Sequence, residues 1–390
     1  MGIKISNRAK AIKPSPTMAV SALANKMKAR GIDVINFGVG EPDYDTPDYI
    51  KEAGKKAIDD NFTRYTASSG ILELREAISV KLKNDNDIIC DPQDILVSPG
   101  AKASIINVLM AICDPRDEVI IPSPCWVSYT SQVGMVDALP KLMRTTFSTK
   151  FKITPKQLED KIAELSNPKA LILNSPNNPT GTIYSRKTLE KIAEICLKNN
   201  ILIISDEIYE KLIYDGKKHC SVASISNEVR ENTVLINGVS KAYAMTGWRL
   251  GYCAGPKEII KKASSIQAHT TSCVNSMTQK AAVAALTGEN NRVIEMRDKF
   301  QERRNYLVEK LNEIEFVKCP LPKGAFYAFP YIKYYLTHNK KGITNSIDLC
   351  KYLLENYHIA LVPGSAFGDD RYVRFSYANS TANIAKGVKR

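Results

Sequence analysis

Four short polar clusters in this 390-residue chain each follow an apolar run, and each brings a different reactive group. Lys241 stands in Ser240-Lys-Ala-Tyr-Ala-Met-Thr-Gly-Trp-Arg249, after Thr233-Val-Leu-Ile236. A lone lysine is ordinarily a solvated surface group. An amine held among cations and away from water sheds its proton more easily, and can then attack an aldehyde. Arg249 supplies such a cation, with a planar fork able to hold a phosphate by two hydrogen bonds. Asp206 comes just after Ile201-Leu-Ile-Ile204, where a solvated turn is a poor explanation for an acid. Asn174-Ser-Pro-Asn-Asn178-Pro-Thr-Gly181 adds amides. Ser98-Pro-Gly-Ala-Lys102 opens a helical pattern whose first N–H groups can hold an anion, a weak signal on its own because many glycine-rich turns share it.

The elements that must position these groups follow from periodicity. Ile95–Val97, Glu118–Ile121, Ala170–Leu173, Ile201–Ile204 and Thr233–Ile236 read as buried strands. Ala101–Ile112 and Lys187–Asn199 repeat apolar residues at helical spacing between them. The alternation predicts an α/β fold with a mainly parallel sheet covered on both faces. Ligands in such sheets sit beyond the carboxyl ends of the strands, which is where all four clusters fall. Outside this block, Asn290–Leu311 is a long charged helical pattern, while Gly324–Phe329 and Tyr372–Tyr377 read as strands of a smaller α/β layer. The expected division is a large domain over residues 50–290, with residues 1–49 and 291–390 forming the small one.

Taken in order and spacing, the clusters resemble the fold-type I aminotransferases of class I/II, which use pyridoxal 5′-phosphate (PLP). Within them the chain resembles the bacterial and plastid branch of aspartate aminotransferases, subgroup 1β, from about residue 5 to its end. The resemblance implies a large domain with a mainly parallel seven-stranded sheet between helices, plus a smaller α/β domain. It implies that Lys241 carries PLP as a Schiff base and, once freed, moves the proton from the substrate Cα as acid and base, giving ping-pong kinetics. Asp206 then faces the pyridine nitrogen and keeps it protonated. Tyr209, three positions on, and Asn178 face the phenolic oxygen. Gly100, Ala101, Lys102, Ser240 and Arg249 surround the phosphate. Tyr65, in Arg64-Tyr-Thr-Ala-Ser-Ser-Gly70, reaches the phosphate of the neighbouring subunit, implying an obligate homodimer with shared active sites.

Trp126, in Pro124-Cys-Trp-Val-Ser-Tyr129, corresponds to the aromatic residue stacked on the ring, although core bulk is the ordinary use of tryptophan. Arg374, in Tyr372-Val-Arg-Phe-Ser376, corresponds to the clamp on the substrate α-carboxylate, and Gly40 to a backbone contact beside it. Asn178 and Trp126 border substrate as well as cofactor. Ser15, Thr17 and Lys102 match the partners of a substrate side-chain carboxylate, pointing to aspartate, glutamate, oxaloacetate and 2-oxoglutarate. Lys13 matches a basic residue linked to prephenate use in some members. Pro16 departs from the pattern by fixing φ between Ser15 and Thr17.

Composition narrows the rivals. The chain is 44% apolar and 24% charged, and no stretch approaches the roughly 18 apolar residues of a membrane span. Lys and Arg exceed Asp and Glu by 13, but they are spread along the chain rather than gathered in a stripe among aromatics, which disfavours nucleic acid and suits small anions. The nine cysteines include no Cys-x-x-Cys pair, as in a reducing compartment. The N-terminal stretch has no apolar core of a secretion signal, and Lys13-Pro-Ser15 reads as part of the enzyme, so the cytoplasm is expected and no metal is. The alternatives are an aminotransferase that prefers prephenate or aromatic substrates and a PLP lyase of the same fold, which would share Lys241, Asp206 and Arg249.

Overall fold

Among the described residues twelve strands run in chain order: β1 Ile35–Asn36, β2 Ile95–Ser98, β3 Glu118–Ser123, β4 Leu139–Arg144, β5 Pro168–Asn174, β6 Leu202–Asp206, β7 Thr233–Gly238, β8 Gly251–Ala254, β9 Tyr327–Ala328, β10 Ile359–Ala360, β11 Val362–Pro363 and β12 Val373–Ser376. They come from a computed structural model that describes residues 3–12 and 16–390, with the backbone alone for residue 11 and residues 16–19. Seven strands form one sheet in the order β2-β8-β7-β6-β5-β3-β4. Only β8 runs antiparallel to its neighbours, so the expected mainly parallel seven-stranded sheet is present.

Side chains along β3 alternate between two cores, as the period of a strand requires. Val119 and Ile121 pack with Ile105 and Leu109 of the helix Ala101–Ile112. Ile120 packs on the other face with Leu189, Ile192 and Cys196 of the helix Arg186–Lys198. Both faces are therefore dry, and every residue of β2 and β7 is buried. Two strands of this sheet are absent from the sequence reading. The run Leu139-Pro-Lys-Leu-Met-Arg144 is an edge strand, half exposed and carrying a proline that an inner strand would reject. Gly251-Tyr-Cys-Ala254 is only four residues long and lacks β-branched side chains.

A second layer combines both ends of the described chain. β1 pairs in parallel with β10, and β11, β12 and β9 form a three-stranded antiparallel sheet. The long helix Asn291–Glu313 covers it through Met296, Phe300, Leu307 and Leu311, which share a core with Phe37, Phe326, Tyr327 and Tyr377. The expected strands at Gly324–Phe329 and Tyr372–Tyr377 are shorter than read, two and four residues. Tyr209, Leu212 and Tyr214, which follow β6, join this same core and tie the layer to the large sheet. Among the described residues no helix is long and apolar enough to cross a membrane.

Candidate active site

The carboxyl ends of β5, β6 and β7 open into a cleft of about 590 Å³. Its lining brings together the expected Gly40, Ala101, Lys102, Trp126, Asn178, Asp206, Tyr209, Ser240, Lys241, Arg249 and Arg374. Gly100 stands directly behind, as N-cap of the helix Ala101–Ile112 with φ 89° and no side-chain cap, so the first N–H groups of that helix are left for an anion. A Cβ on Gly100 would meet Arg249 Nη2 at 2.3 Å. Only glycine allows the guanidinium to lie against the helix start.

Lys241 lies just beyond β7, and its Nζ donates to the carbonyl of Gly40 (2.6 Å). Burial lowers its amine to a pKa of about 8; the Glu41 carboxylate opposes the change, and the guanidinium groups of Arg249 and Arg374 add to it. Asp206, at the end of β6, is buried, and burial raises its carboxyl to about 6. Tyr129 Oη donates to Asp206 Oδ2 (2.5 Å) and Ile208 N to Oδ1 (3.2 Å), which pull the other way by favouring the charged form. A dry carboxylate with two donors and no cation in contact is suited to a protonated ring nitrogen.

Arg374 on β12 is buried in the cleft lining. Its Nη1 donates to Asn178 Oδ1 (3.0 Å) and its Nη2 to the carbonyl of Gly38 (2.8 Å). Its Nε has no partner among the described residues, an unsatisfied donor in a dry place. The guanidinium also lies 4.3 Å from the Tyr327 ring centroid and 5.0 Å from that of Phe367. Tyr209 Oη and Tyr327 Oη are hydrogen-bonded at 2.9 Å. Lys102 Nζ sits 5.0 Å over the Trp126 ring, which meets Tyr129 edge-on.

The remaining expectations fall elsewhere. Tyr65 is 90% exposed and does not line the cleft. Lys13 and Ser15 lie outside the described residues, as does the side chain of Thr17. Pro16 is the first residue of the helix Pro16–Lys28, a position where its fixed φ and missing N–H suit a helix start.

The sequence reading missed four contributors. Tyr129 holds Asp206 and could have been suspected from its place one helical turn after Trp126. Glu41 and Thr246 line the mouth, and Thr246 Oγ1 donates to Glu41 Oε2 (2.7 Å) while its carbonyl accepts from Arg249 Nη1 (2.8 Å). No local signal marks that contact, because 205 residues separate its partners. Tyr327 was read only as part of a strand.

Residues 32–390 match the family described as aminotransferase class I and II. The chain belongs to this aminotransferase family. It is 48% identical over 395 residues to a bifunctional aspartate aminotransferase and glutamate/aspartate-prephenate aminotransferase of Petunia hybrida, covering 100% of this chain and 82% of that one. An aspartate aminotransferase of Bacillus subtilis is 43% identical, with 100% and 98% covered. The solved aspartate aminotransferase of Thermus thermophilus with maleate superposes with a TM-score of 0.93 at 36% identity, covering 100% of this aminotransferase and 98% of that chain.

Proposed function

We propose that this aminotransferase transfers the amino group of aspartate or glutamate to 2-oxoglutarate or oxaloacetate with PLP, held at Lys241. The observation that carries the reading is the convergence of Lys241, Asp206, Arg249 and Arg374 on one cleft. The cleft fits the cofactor in three respects: an amine of lowered basicity, a buried carboxyl opposite it, and a guanidinium beside an uncapped helix start. Bound PLP supplies a reactive carbonyl carbon and a ring that draws electron density from a substrate Cα.

The chain's own groups do the rest. Lys241 Nζ would hold the cofactor and, once freed, would take the proton from the Cα of the amino donor and, in the second half-reaction, deliver one to the Cα of the acceptor. Asp206 keeps a positive charge at the ring nitrogen, held in place by Tyr129. Tyr209 and Asn178 face the ring oxygen, and Trp126 fixes the ring plane. The N–H groups at Gly100 to Lys102, with Ser240 and Arg249, hold the phosphate. Arg374 takes the α-carboxylate in a two-point grip with its free Nε, and Gly40 allows close approach. Lys102, with Ser15 and Thr17, receives the second carboxylate. The dicarboxylate preference draws on the names of the relatives, and maleate in the Thermus thermophilus structure is itself a dicarboxylate.

We further take the enzyme to be cytoplasmic and a homodimer in which Tyr65 completes the partner's phosphate site, with domains at 50–290 and at 1–49 with 291–390. Prephenate as amino acceptor is a second reading, favoured by the Petunia hybrida relative's name and tied to Lys13. One assay series tests the reaction and its substrates: purified protein with PLP, a panel of amino donors, and 2-oxoglutarate or prephenate as acceptor. Oxaloacetate formed from aspartate supports the main reading. Elimination products without any amino transfer would replace it with the lyase alternative.

A further inference from the structure

The turn Asp206–Glu210 presents Asp206 and Tyr209 to the cleft, while Glu207 and Glu210 point away from it into a second, buried cluster. Glu207 Oε2 contacts His219 Nε2 (2.6 Å), and its Oε1 accepts from Ser205 Oγ (2.8 Å) and Ser221 Oγ (2.7 Å). Glu210 Oε1 pairs with the ammonium of Lys81, and its Oε2 accepts from Asn86 Nδ2 (2.7 Å). Lys81 Nζ also donates to Asn86 Oδ1 (2.7 Å) and lies 3.9 Å from Asp85, which Lys211 engages at 2.7 Å. Tyr243 and Tyr252 complete the charged and titratable surroundings, with Asp206 one residue away.

Although Glu207, Glu210 and His219 offer ligand atoms within 4.8 Å of one another, the Lys81 ammonium and two serine hydroxyls already engage the carboxylates, so the cluster is served without a metal ion. Its charges form a closed count. Three carboxylates (Asp85, Glu207, Glu210) face two ammonium groups (Lys81, Lys211), and a protonated His219 brings the sum to zero. A neutral His219 leaves one uncompensated negative charge in a dry place beside Asp206. Breaking a buried pair from one side is costly because the remaining charge has nowhere to go.

We propose that His219 is a positioning residue: as an imidazolium it balances Glu207, and so holds the turn that sets Asp206 and Tyr209 against the cofactor. Burial pushes the imidazole down, but the Glu207 carboxylate overrides it and raises the group above its ordinary value. A raised histidine stabilises the fold fully below its unfolded pKa, near 6.5, and the contribution disappears as pH climbs through the folded value. The inference rests on the reading of Asp206 and Tyr209 as cofactor partners.

The test compares wild-type holoenzyme, H219Q, which keeps a hydrogen-bond donor without charge, and the double variant E207Q/H219Q, which restores neutrality. Three quantities are measured: the rate of PLP loss on dilution, kcat and KM for aspartate, and the thermal midpoint from pH 5.5 to 8.5. H219Q is expected to lose PLP about tenfold faster and to show lowered kcat with little change in KM; the double variant recovers to within about threefold of wild type. The fall of the thermal midpoint as pH rises above 6.5 is expected in wild type and absent from both variants. A double variant as impaired as H219Q, or variants indistinguishable from wild type, overturns the charge-balance role. Should H219Q fail to fold, recovery in the double variant still decides. Wild-type protein that never retains PLP defeats instead the reading of Asp206 and Tyr209 as cofactor partners.

Discussion

Tyr129 donates its phenol hydrogen to Asp206 across 2.5 Å, inside a pocket where both side chains are buried. The bond favours the ionised carboxylate against the burial that raises it to about 6. Tyr129→Phe removes that support and leaves a buried carboxyl with fewer donors. The expected result is an acid limb of the kcat/KM profile displaced to higher pH and faster loss of PLP, by about 10-fold for one charged hydrogen bond. Rate profiles between pH 5 and 9 check it, and superimposable limbs would refute it.

Lys241→Ala should cut turnover by about 1,000-fold or more while the apoprotein still folds, since proton transfer and covalent attachment are both lost. Borohydride reduction of wild-type protein with PLP should add mass to the peptide containing Lys241. A near-normal rate in the variant, or an unmodified peptide, would defeat the assignment.

The same lysine predicts a pH effect on the apoprotein. Its amine is lowered to about 8 in the fold but titrates near 10.5 when exposed. Between those values the unfolded chain binds the extra proton, so this group's contribution to stability rises with pH from about 8 and is complete above 10.5. Denaturation of wild type against Lys241→Ala across pH 7 to 10.5 should reveal a difference that changes in that direction.

Arg374→Lys retains charge but loses the planar fork. KM should rise for every amino acid tested, with kcat/KM down roughly 10- to 100-fold. A loss confined to aspartate and glutamate would place Arg374 at the side-chain carboxylate instead.

Gly100→Ala would drive a methyl group into Arg249 at a backbone φ of 89°, so both strain and collision oppose it. Weaker PLP binding with an unchanged amino-acid preference is expected, read by titrating the apoprotein with PLP.

Part of the cleft lining was legible because several of its groups follow a strongly apolar strand and stay within a dozen residues of it. Lys241, Asp206 and Asn178 are of this kind, and position in the chain dictates position in the cleft. Glu41 with Thr246, and Tyr209 with Tyr327, were not legible, because each pair is made by tertiary packing over 205 and 118 residues. Strand β8 was missed for a related reason: it is antiparallel, short and flanked by the loop that holds Arg249, so neither length nor alternation marks it. The buried partnership of Glu207 and His219 hides inside a stretch whose neighbours look like an ordinary polar loop.

The pairing of β1 with β10 has a consequence for how the enzyme comes into being. Residues 98 to 249, which supply most of the cleft lining, are made while the strand that β1 pairs with is still more than a hundred codons away. The wall of the cleft that carries Arg374 on β12 is therefore the last part of its lining to emerge, after every group contributed from β5, β6 and β7.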